Sequence, residues 1–188
     1  MVSRAPAWLV IVASLTACVG GADGDDDDED RDSGGDSGLV VQGDGRLFIN
    51  EFMASNRSLA IDPDDPEATS DWVEIFNASS FDVDLTGFTI TDDLEQPDKA
   101  RLGSLVVPAG GHLVLLADGG DGGIHLPFKL DADGDDLGLY APDGAPLDQL
   151  TFGGQIADVT AGRAPDGGAL GFLPEPTPGD SNPTEFRP

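Results

Sequence analysis

The chain has 188 residues, of which 36 are acidic and only nine are basic, and its formal net charge is −27. The single cysteine excludes a disulfide framework, so the stability of any folded part must come from packing. The acidic excess disfavours contact with phosphates, and we expect no nucleic-acid partner. Hydrophobic residues make up 39% of the chain, which is enough for one core of ordinary size.

Residues 1–17 have the organisation of a secretory signal peptide. Arg4 precedes the apolar residues 7–13, and the sequence Leu15-Thr-Ala-Cys18 follows. The apolar segment is shorter than the roughly 20 residues that a membrane-spanning helix needs. Its end resembles the lipoprotein box of exported bacterial proteins. This resemblance implies cleavage before Cys18 and lipid on that cysteine, which would hold the mature protein at a membrane. A plain secretory signal with an incidental cysteine is the alternative.

The residue after Cys18 bears on the membrane that the protein reaches. Lipoproteins of the enterobacterial type are retained at the inner membrane by an aspartate in that place, and this chain has Val19. The resemblance therefore implies a lipid-anchored protein of the cell envelope, in the outer membrane of a bacterium.

Residues 18–45 are predicted to form a disordered acidic tether that begins at the lipidated cysteine. Residues 19–45 hold ten acidic side chains, six of them consecutive at 25–30, against Arg31 alone. Such a segment has little apolar surface to bury, and its charges repel one another. It is either a spacer that lifts the following domain off the membrane or a solvated tail with no specific role.

Residues 46–188 are predicted to form one all-β domain, because short apolar or alternating runs are separated by Gly, Pro, Asp and Asn and no helical spacing appears. The predicted strands cover 47–53, 72–77, 83–85, 88–91, 112–117, 136–140 and 147–152. Seven short strands indicate a sandwich or a barrel. The run 112–117 is apolar on both faces and predicts a central, buried strand, whereas the alternation in 88–91 predicts one dry face and one wet face. Turns are expected at Gly87, Gly110 and Gly162.

The order of motifs in this domain resembles the lamin-tail domain, an immunoglobulin-like β-sandwich of nuclear lamins and of many exported bacterial proteins. The motifs run through most of 46–182, and a Pro-rich segment ends the chain. They are LFINEFMASN (47–56), DWVEIFN (71–77), VDLTGF (83–88), VPAG (107–110), HLVLLAD (112–118), FKL (128–130), LGLY (137–140), GRAPDG (162–167) and PTPG (176–179), followed by Asn182. The resemblance implies an immunoglobulin-like β-sandwich.

Four residues are predicted to belong to the structural core: Trp72, Glu74, Phe76 and Arg163. Period two places Trp72, Glu74 and Phe76 on one face of their strand and two aliphatic residues on the other, so the strand should be interior. A buried carboxylate is costly unless it is paired, and Arg163 is the candidate partner of Glu74. We interpret such a pair as scaffold rather than as catalytic machinery.

Three alternate aspartates, Asp131, Asp133 and Asp135, offer the hard oxygen ligands that calcium prefers. An EF-hand beginning at Asp131 requires glycine at its sixth place and glutamate at its twelfth, and these places hold Asp136 and Pro142. The loop is therefore either an irregular surface calcium site or an acidic turn. Calcium is the only cofactor that the sequence suggests.

Catalytic motifs are missing from the sequence. Residues 46–188 contain two histidines, His112 and His125, and neither a nucleophile elbow nor a P-loop. Acidic pairs are expected by chance among 26 carboxylates. We therefore expect a non-catalytic envelope lipoprotein that presents a binding or adhesion module to a cell-surface or extracellular protein or polysaccharide. The alternatives are a passive structural envelope protein and a metal-assisted hydrolase built from surface aspartates.

Overall fold

The computed structural model describes residues 46–188, so the predicted signal peptide, Cys18 and the tether lie outside the described residues. Within the described part, every regular element is a β-strand, and no helix there is long and apolar enough to cross a membrane. The strands are β1 (Leu47–Met53), β2 (Asp71–Asn77), β3 (Val83–Asp84), β4 (Thr89–Thr91), β5 (Ala100–Arg101), β6 (Val106–Val107), β7 (His112–Ala117), β8 (Gly134–Tyr140), β9 (Pro146–Gly153), β10 (Ala161–Ala164) and β11 (Ala169–Phe172).

The strands form two facing sheets and one short ribbon. The order is β11-β10-β1-β2-β7 in the five-stranded sheet and β5-β4-β8-β9 in the four-stranded sheet, while β3 pairs with β6. All these pairs are antiparallel. Aliphatic and aromatic side chains from both sheets fill the space between them, and the Phe52 and Phe152 rings lie 4.5 Å apart between centroids. This arrangement confirms the all-β, immunoglobulin-like sandwich.

The pleat of β2 gives the five-stranded sheet two different buried faces. Val73 and Ile75 point into the core between the sheets, whereas Trp72 belongs to a second apolar cluster on the outer face. Glu74 lies on that outer face beside Glu51 of β1, because the register shifts at Asn50. The extra residue of this β-bulge alters the alternation of β1 and turns Glu51 outward, opposite Glu74.

The expectation that 112–117 is a central strand is wrong, because β7 is the edge of the five-stranded sheet. Its run is apolar on both faces because Leu115 joins the core between the sheets and Leu116 joins the outer cluster of Trp72. The edge itself is covered by the following loop. The Leu116 N–H donates to the Ile124 carbonyl and the Leu126 N–H donates to the Leu116 carbonyl, both at 2.8 Å.

The expectation that one face of 88–91 is exposed to solvent is also wrong. All three residues of β4 are buried, and the strand lies between β5 and β8 in the four-stranded sheet. The hydroxyl of Thr91 donates to the Asp93 carbonyl at 2.9 Å and accepts the Asp93 N–H at the same distance. A local turn thus satisfies the polar group that was expected to face water.

The seven predicted strands are all present, and four further strands, β5, β6, β10 and β11, were missed. Gly87 and Gly110 have positive φ, as turns require. Gly162 is instead inside β10. A Cβ there would lie 2.8 Å from both the Asn50 carbonyl oxygen and Leu173 Cδ1. The turn expected at Gly162 is therefore wrong, and close packing is what requires glycine.

Candidate functional site

The outer face of the five-stranded sheet carries a buried polar network. We use this name for Asn50, Glu51, Glu74, Asp166, Thr177 and Asn182. Glu51 and Glu74 are fully buried. Glu74 Oε1 accepts a hydrogen bond from Asn50 Nδ2 at 3.1 Å, and Glu74 Oε2 accepts one from the Gly179 N–H at 2.7 Å. Donors within the chain therefore occupy both oxygens of Glu74.

The C-terminal segment closes this network. Thr177 donates to Glu51 through its N–H at 3.1 Å and through its hydroxyl at 2.8 Å. Asn182 donates through Nδ2 to the carbonyls of Asn50 and Arg163, and through its N–H to Asp166 Oδ1. The Pro-rich end of the chain is thus bound to the sheet by directional hydrogen bonds.

Burial controls the protonation of these carboxyl groups. It raises the pKa of Glu74 to about 8 and raises the pKa of Glu51 as well, against the opposing effect of their hydrogen bonds. Burial also acts to raise the pKa of Asp166, but hydrogen bonds from Asn182, Asn50 and Ser181 hold that pKa below its ordinary value. Because the network satisfies its own oxygens, we interpret it as scaffold.

The predicted pairing of Glu74 with Arg163 is wrong. Arg163 Nη2 lies 2.9 Å from Oδ2 and 3.0 Å from Oδ1 of Asp148, and Arg163 Nε donates to the Ile49 carbonyl. Asp148 lies on β9, so this ion pair joins the two sheets. The reason is the pleat: Arg163 leaves β10 toward the facing sheet, whereas Glu74 points to the outer face.

The other predicted core residues differ in their surroundings. Trp72 is fully buried with Met53 and Leu116. Phe76 is only partly buried, and its ring stacks on His112 with 4.9 Å between centroids. His112 Nε2 in turn lies 3.4 Å from Asp166 Oδ2, next to the polar network.

Of the three aspartates proposed for calcium, Asp131 and Asp133 lie in the turn before β8, and Asp135 is the second residue of that strand. The Asp133 N–H donates to Asp131 Oδ1 at 2.8 Å, and the Asp131 N–H donates to Asp135 Oδ2 at 3.0 Å. The second oxygen of Asp135 accepts the Asp136 N–H. These carboxylates cap the backbone of their own loop, and calcium binding there stays a prediction.

An apolar groove of about 320 Å³ opens between β9 and β11, the edge strands of the two sheets. Its apolar walls come from Phe52, Phe152, Ala161, Leu170 and Phe172, and no charged residue lines it. Leu170 is 39% exposed. The sequence did not reveal this groove, because β11 was not predicted and a strand's own residues do not say whether it lies at an edge. Aromatic residues in short, glycine-rich runs were the only available signal.

Comparison with protein families gives a match to the lamin tail domain over residues 41–154. The match ends after β9, so β10 and β11, which complete the five-stranded sheet, lie beyond it together with the C-terminal segment. Neither the comparison with curated proteins nor the comparison with solved structures finds a match. The family match covers more than half of the chain and agrees with the immunoglobulin-like sandwich, and the chain therefore belongs to the lamin tail domain family.

Proposed function

We propose that this protein is a non-catalytic cell-envelope lipoprotein, anchored through lipid on Cys18, whose β-sandwich binds an apolar segment of another cell-surface or extracellular protein. The observation that carries the proposal is the uncharged groove between β9 and β11. It stands out because residues 46–188 hold 26 acidic side chains against seven basic ones, a net charge of −19.

The composition of the groove favours a protein partner. Its walls are aromatic and aliphatic, and Leu170 stays exposed beside them. Apolar pockets with a few aromatic anchors are typical of the centres of protein interfaces. A polyanion would gain nothing from an uncharged pocket and would be repelled by the acidic surroundings. We therefore expect an apolar segment flanked by basic residues.

The position of the groove also indicates how such a segment binds. β9 is an edge strand that pairs with β8 alone. Every second backbone N–H and C=O group of an edge strand points away from its sheet. An extended partner segment can hydrogen-bond to these groups while its side chains enter the groove, which is the β-strand addition mode of peptide recognition.

The non-catalytic part of the proposal is supported by the fold and by the carboxylates. The immunoglobulin-like fold of this family is typically non-catalytic. The buried carboxyl groups of Glu51 and Glu74 accept hydrogen bonds from the C-terminal segment, and Glu74 accepts a further one from Asn50. The passive structural role is the competing interpretation, and the test below separates the two.

The test is crosslinking on living cells that express the full chain, followed by identification of the captured molecules. Leu170→Asp places a charge in the groove at an exposed position and should abolish capture. Val106→Asp is the matched control, because Val106 is 46% exposed but lies on β6, outside the groove. We expect the wild type and Val106→Asp to capture the same protein. Capture of nothing by the wild type would support the passive role, and a polysaccharide bound equally by Leu170→Asp would contradict the proposed partner.

The anchor has its own test. Mass spectrometry of the mature amino terminus should find lipid on Cys18, and Cys18→Ser should release the protein from membranes or stall it as a precursor. An unmodified terminus, or cleavage at another position, would contradict the anchor and leave the groove proposal intact.

A further inference from the structure

Two loops meet at His125, at a place unrelated to the groove. The loop between β1 and β2 brings Asp62 and Asp64, and the loop after β7 brings His125. One ligand atom from each of these side chains lies within 4.8 Å of the other two, and His125 Nε2 is 3.9 Å from Asp64 Oδ2. Asp64 and Asp62, which precede His125 by 61 and 63 positions, thus present two oxygens to a common point with one imidazole nitrogen.

The backbone holds His125 in place on both sides. The Ile124 carbonyl accepts the Leu116 N–H, and the Leu126 N–H donates to the Leu116 carbonyl. The His125 N–H closes a turn by donating to the Gly122 carbonyl at 3.1 Å. The imidazole therefore projects from a segment that is fixed to β7, and little ordering remains to be done when a ligand binds.

Asp118 sets the direction of the imidazole. His125 Nδ1 and Asp118 Oδ2 are 2.7 Å apart, and Asp118 Oδ1 accepts the Gly120 N–H at 2.7 Å. A Cβ on Gly120 would lie 2.8 Å from Asp118 Oδ1 and 2.9 Å from His125 Cβ, so only glycine leaves room for this pair. With Nδ1 bound to a carboxylate, Nε2 is the free nitrogen. Histidines that bind metals have their second nitrogen held in this way.

The charge around the imidazole favours a cation. Asp62, Asp64 and Asp118 surround it, and among the described residues the ion pairs of Asp64 and Asp118 are with His125 alone. Asp62 is nearly buried, and its Oδ1 accepts the N–H groups of Asp64 and Asp65. Its other oxygen stays available as a ligand.

We propose that Asp62, Asp64 and His125 bind a divalent first-row transition metal ion, best matched by Zn²⁺, and that Asp118 is the positioning residue. Zinc bonds of about 2.0–2.2 Å place tetrahedral ligands about 3.3–3.5 Å apart. The 3.9 Å between His125 Nε2 and Asp64 Oδ2 therefore needs a small closure, and the separations that involve Asp62, which are within 4.8 Å, need a larger movement of the 54–70 loop. Calcium and magnesium prefer oxygen ligands throughout, whereas imidazole with carboxylates suits zinc and its neighbours. Three protein ligands leave one position open to water, and the ion would fasten the 54–70 loop to β7.

The competing interpretation is that His125 is an imidazolium ion paired with the three aspartates and needs no metal. The test is a Zn²⁺ titration of the full chain in detergent, after metal removal, by calorimetry and by competition with a chromophoric chelator. The acidic residues 19–45 are present in every variant, so any zinc that they bind contributes equally.

We expect His125→Ala to remove one zinc site per chain and Asp118→Asn to weaken that site by about 10–100-fold. Asp133→Asn, which changes the other acidic loop, is the control and should bind zinc as the wild type does. Co²⁺ should give a ligand-field absorption that His125→Ala lacks. Because Asp64 is 86% exposed, Asp64→Asn serves as a second variant in which misfolding is not an issue.

Equal zinc binding by the wild type and His125→Ala would overturn the proposal, as would calcium that binds this site as tightly as zinc. An Asp118→Asn variant with wild-type affinity would refute the positioning role. None of these results bears on the groove between β9 and β11, because that proposal is tested by the capture of a partner on living cells.

Discussion

On the outer face of the five-stranded sheet, Trp72 and Glu74 are two residues apart on β2, and both are fully buried. Trp72 is covered by apolar side chains of the 54–70 loop, Leu59 and Ile61, and packs with Met53 and Leu116. Glu74 is covered by the C-terminal segment and held by hydrogen bonds from Asn50 and Gly179. The outer face of β2 is therefore covered by apolar packing at Trp72 and by a hydrogen-bonded segment at Glu74.

The two ends differ in what they require of the covering segment. Apolar packing is non-directional, so the Trp72 end depends on volume and is insensitive to pH. Hydrogen bonds to buried carboxyl groups depend on direction and protonation. The stability contributed by the Glu74 end should therefore change with pH and with the removal of single polar groups. Four predictions test this difference, from the largest expected effect to the smallest.

Trp72→Ala should lower the free energy of unfolding by about 3–5 kcal/mol, because it removes a large buried side chain and leaves a cavity. The loss should be the same at pH 5 and pH 8, as measured by urea unfolding of the full chain. A variant that unfolds at nearly the wild-type urea concentration would show that the 54–70 loop does not seal this end.

Glu74 should make the protein less stable as the pH rises. Its pKa is about 8 when folded and near 4.5 when unfolded, so between these values the folded state holds a proton that the unfolded state has lost. Stability from this group is therefore complete below pH 4.5 and is lost as the pH rises through about 8. Glu74→Gln should reduce this decline by a few kcal/mol, whereas the exposed control Glu67→Gln should leave it unchanged. Parallel stability profiles of Glu74→Gln and the wild type would contradict the assignment.

Gly162→Ala should lower the free energy of unfolding by about 1–3 kcal/mol, because the added Cβ meets backbone and side-chain atoms that cannot move independently. Gly103→Ala is the matched control, since a Cβ there meets nothing within 4 Å. Chemical unfolding of the two variants should differ clearly. Similar stabilities would mean that β10 and the C-terminal segment can separate without cost.

Thr177→Val should lower the free energy of unfolding by about 1 kcal/mol, because it keeps the shape of the side chain and removes the hydroxyl that donates to Glu51. Thr184→Val, at an exposed position, is the control. Limited proteolysis should cut the C-terminal segment sooner in Thr177→Val. Equal rates of cleavage would show that the hydroxyl does not hold this segment.

Local sequence was sufficient for part of the fold. Alternation of period two predicted both faces of β2, and turn residues bounded all seven predicted strands closely. β10 and β11 were missed because AGRA and ALGF combine small residues with glycine, so neither shows an alternating apolar face. The two-residue strands β5 and β6 are too short to give a pattern at all.

The lateral position of a strand was not predictable from its own residues. The run 112–117 has the composition of a central strand, yet β7 is an edge whose apolar outer residues are covered by a loop and by the Trp72 cluster. The groove between β9 and β11 follows from the same property, since an edge exists only once the order of strands is fixed. The sequence also did not identify the partner of Arg163, which is Asp148 because the pleat of β10 directs Arg163 toward the facing sheet.

The sequence by itself determined that residues 46–188 form an all-β domain, because the alternation of buried residues is a local property of a strand, and the order of its motifs resembled the lamin tail domain, which implied the immunoglobulin-like sandwich. Only the tertiary structure decided which polar groups meet. The dense acidic run at 131–135 caps its own backbone, whereas Asp62, Asp64 and His125 converge from loops far apart in the chain. Convergence of side chains depends on strand order and loop paths, which arise from the packing of the whole domain rather than from any segment of it.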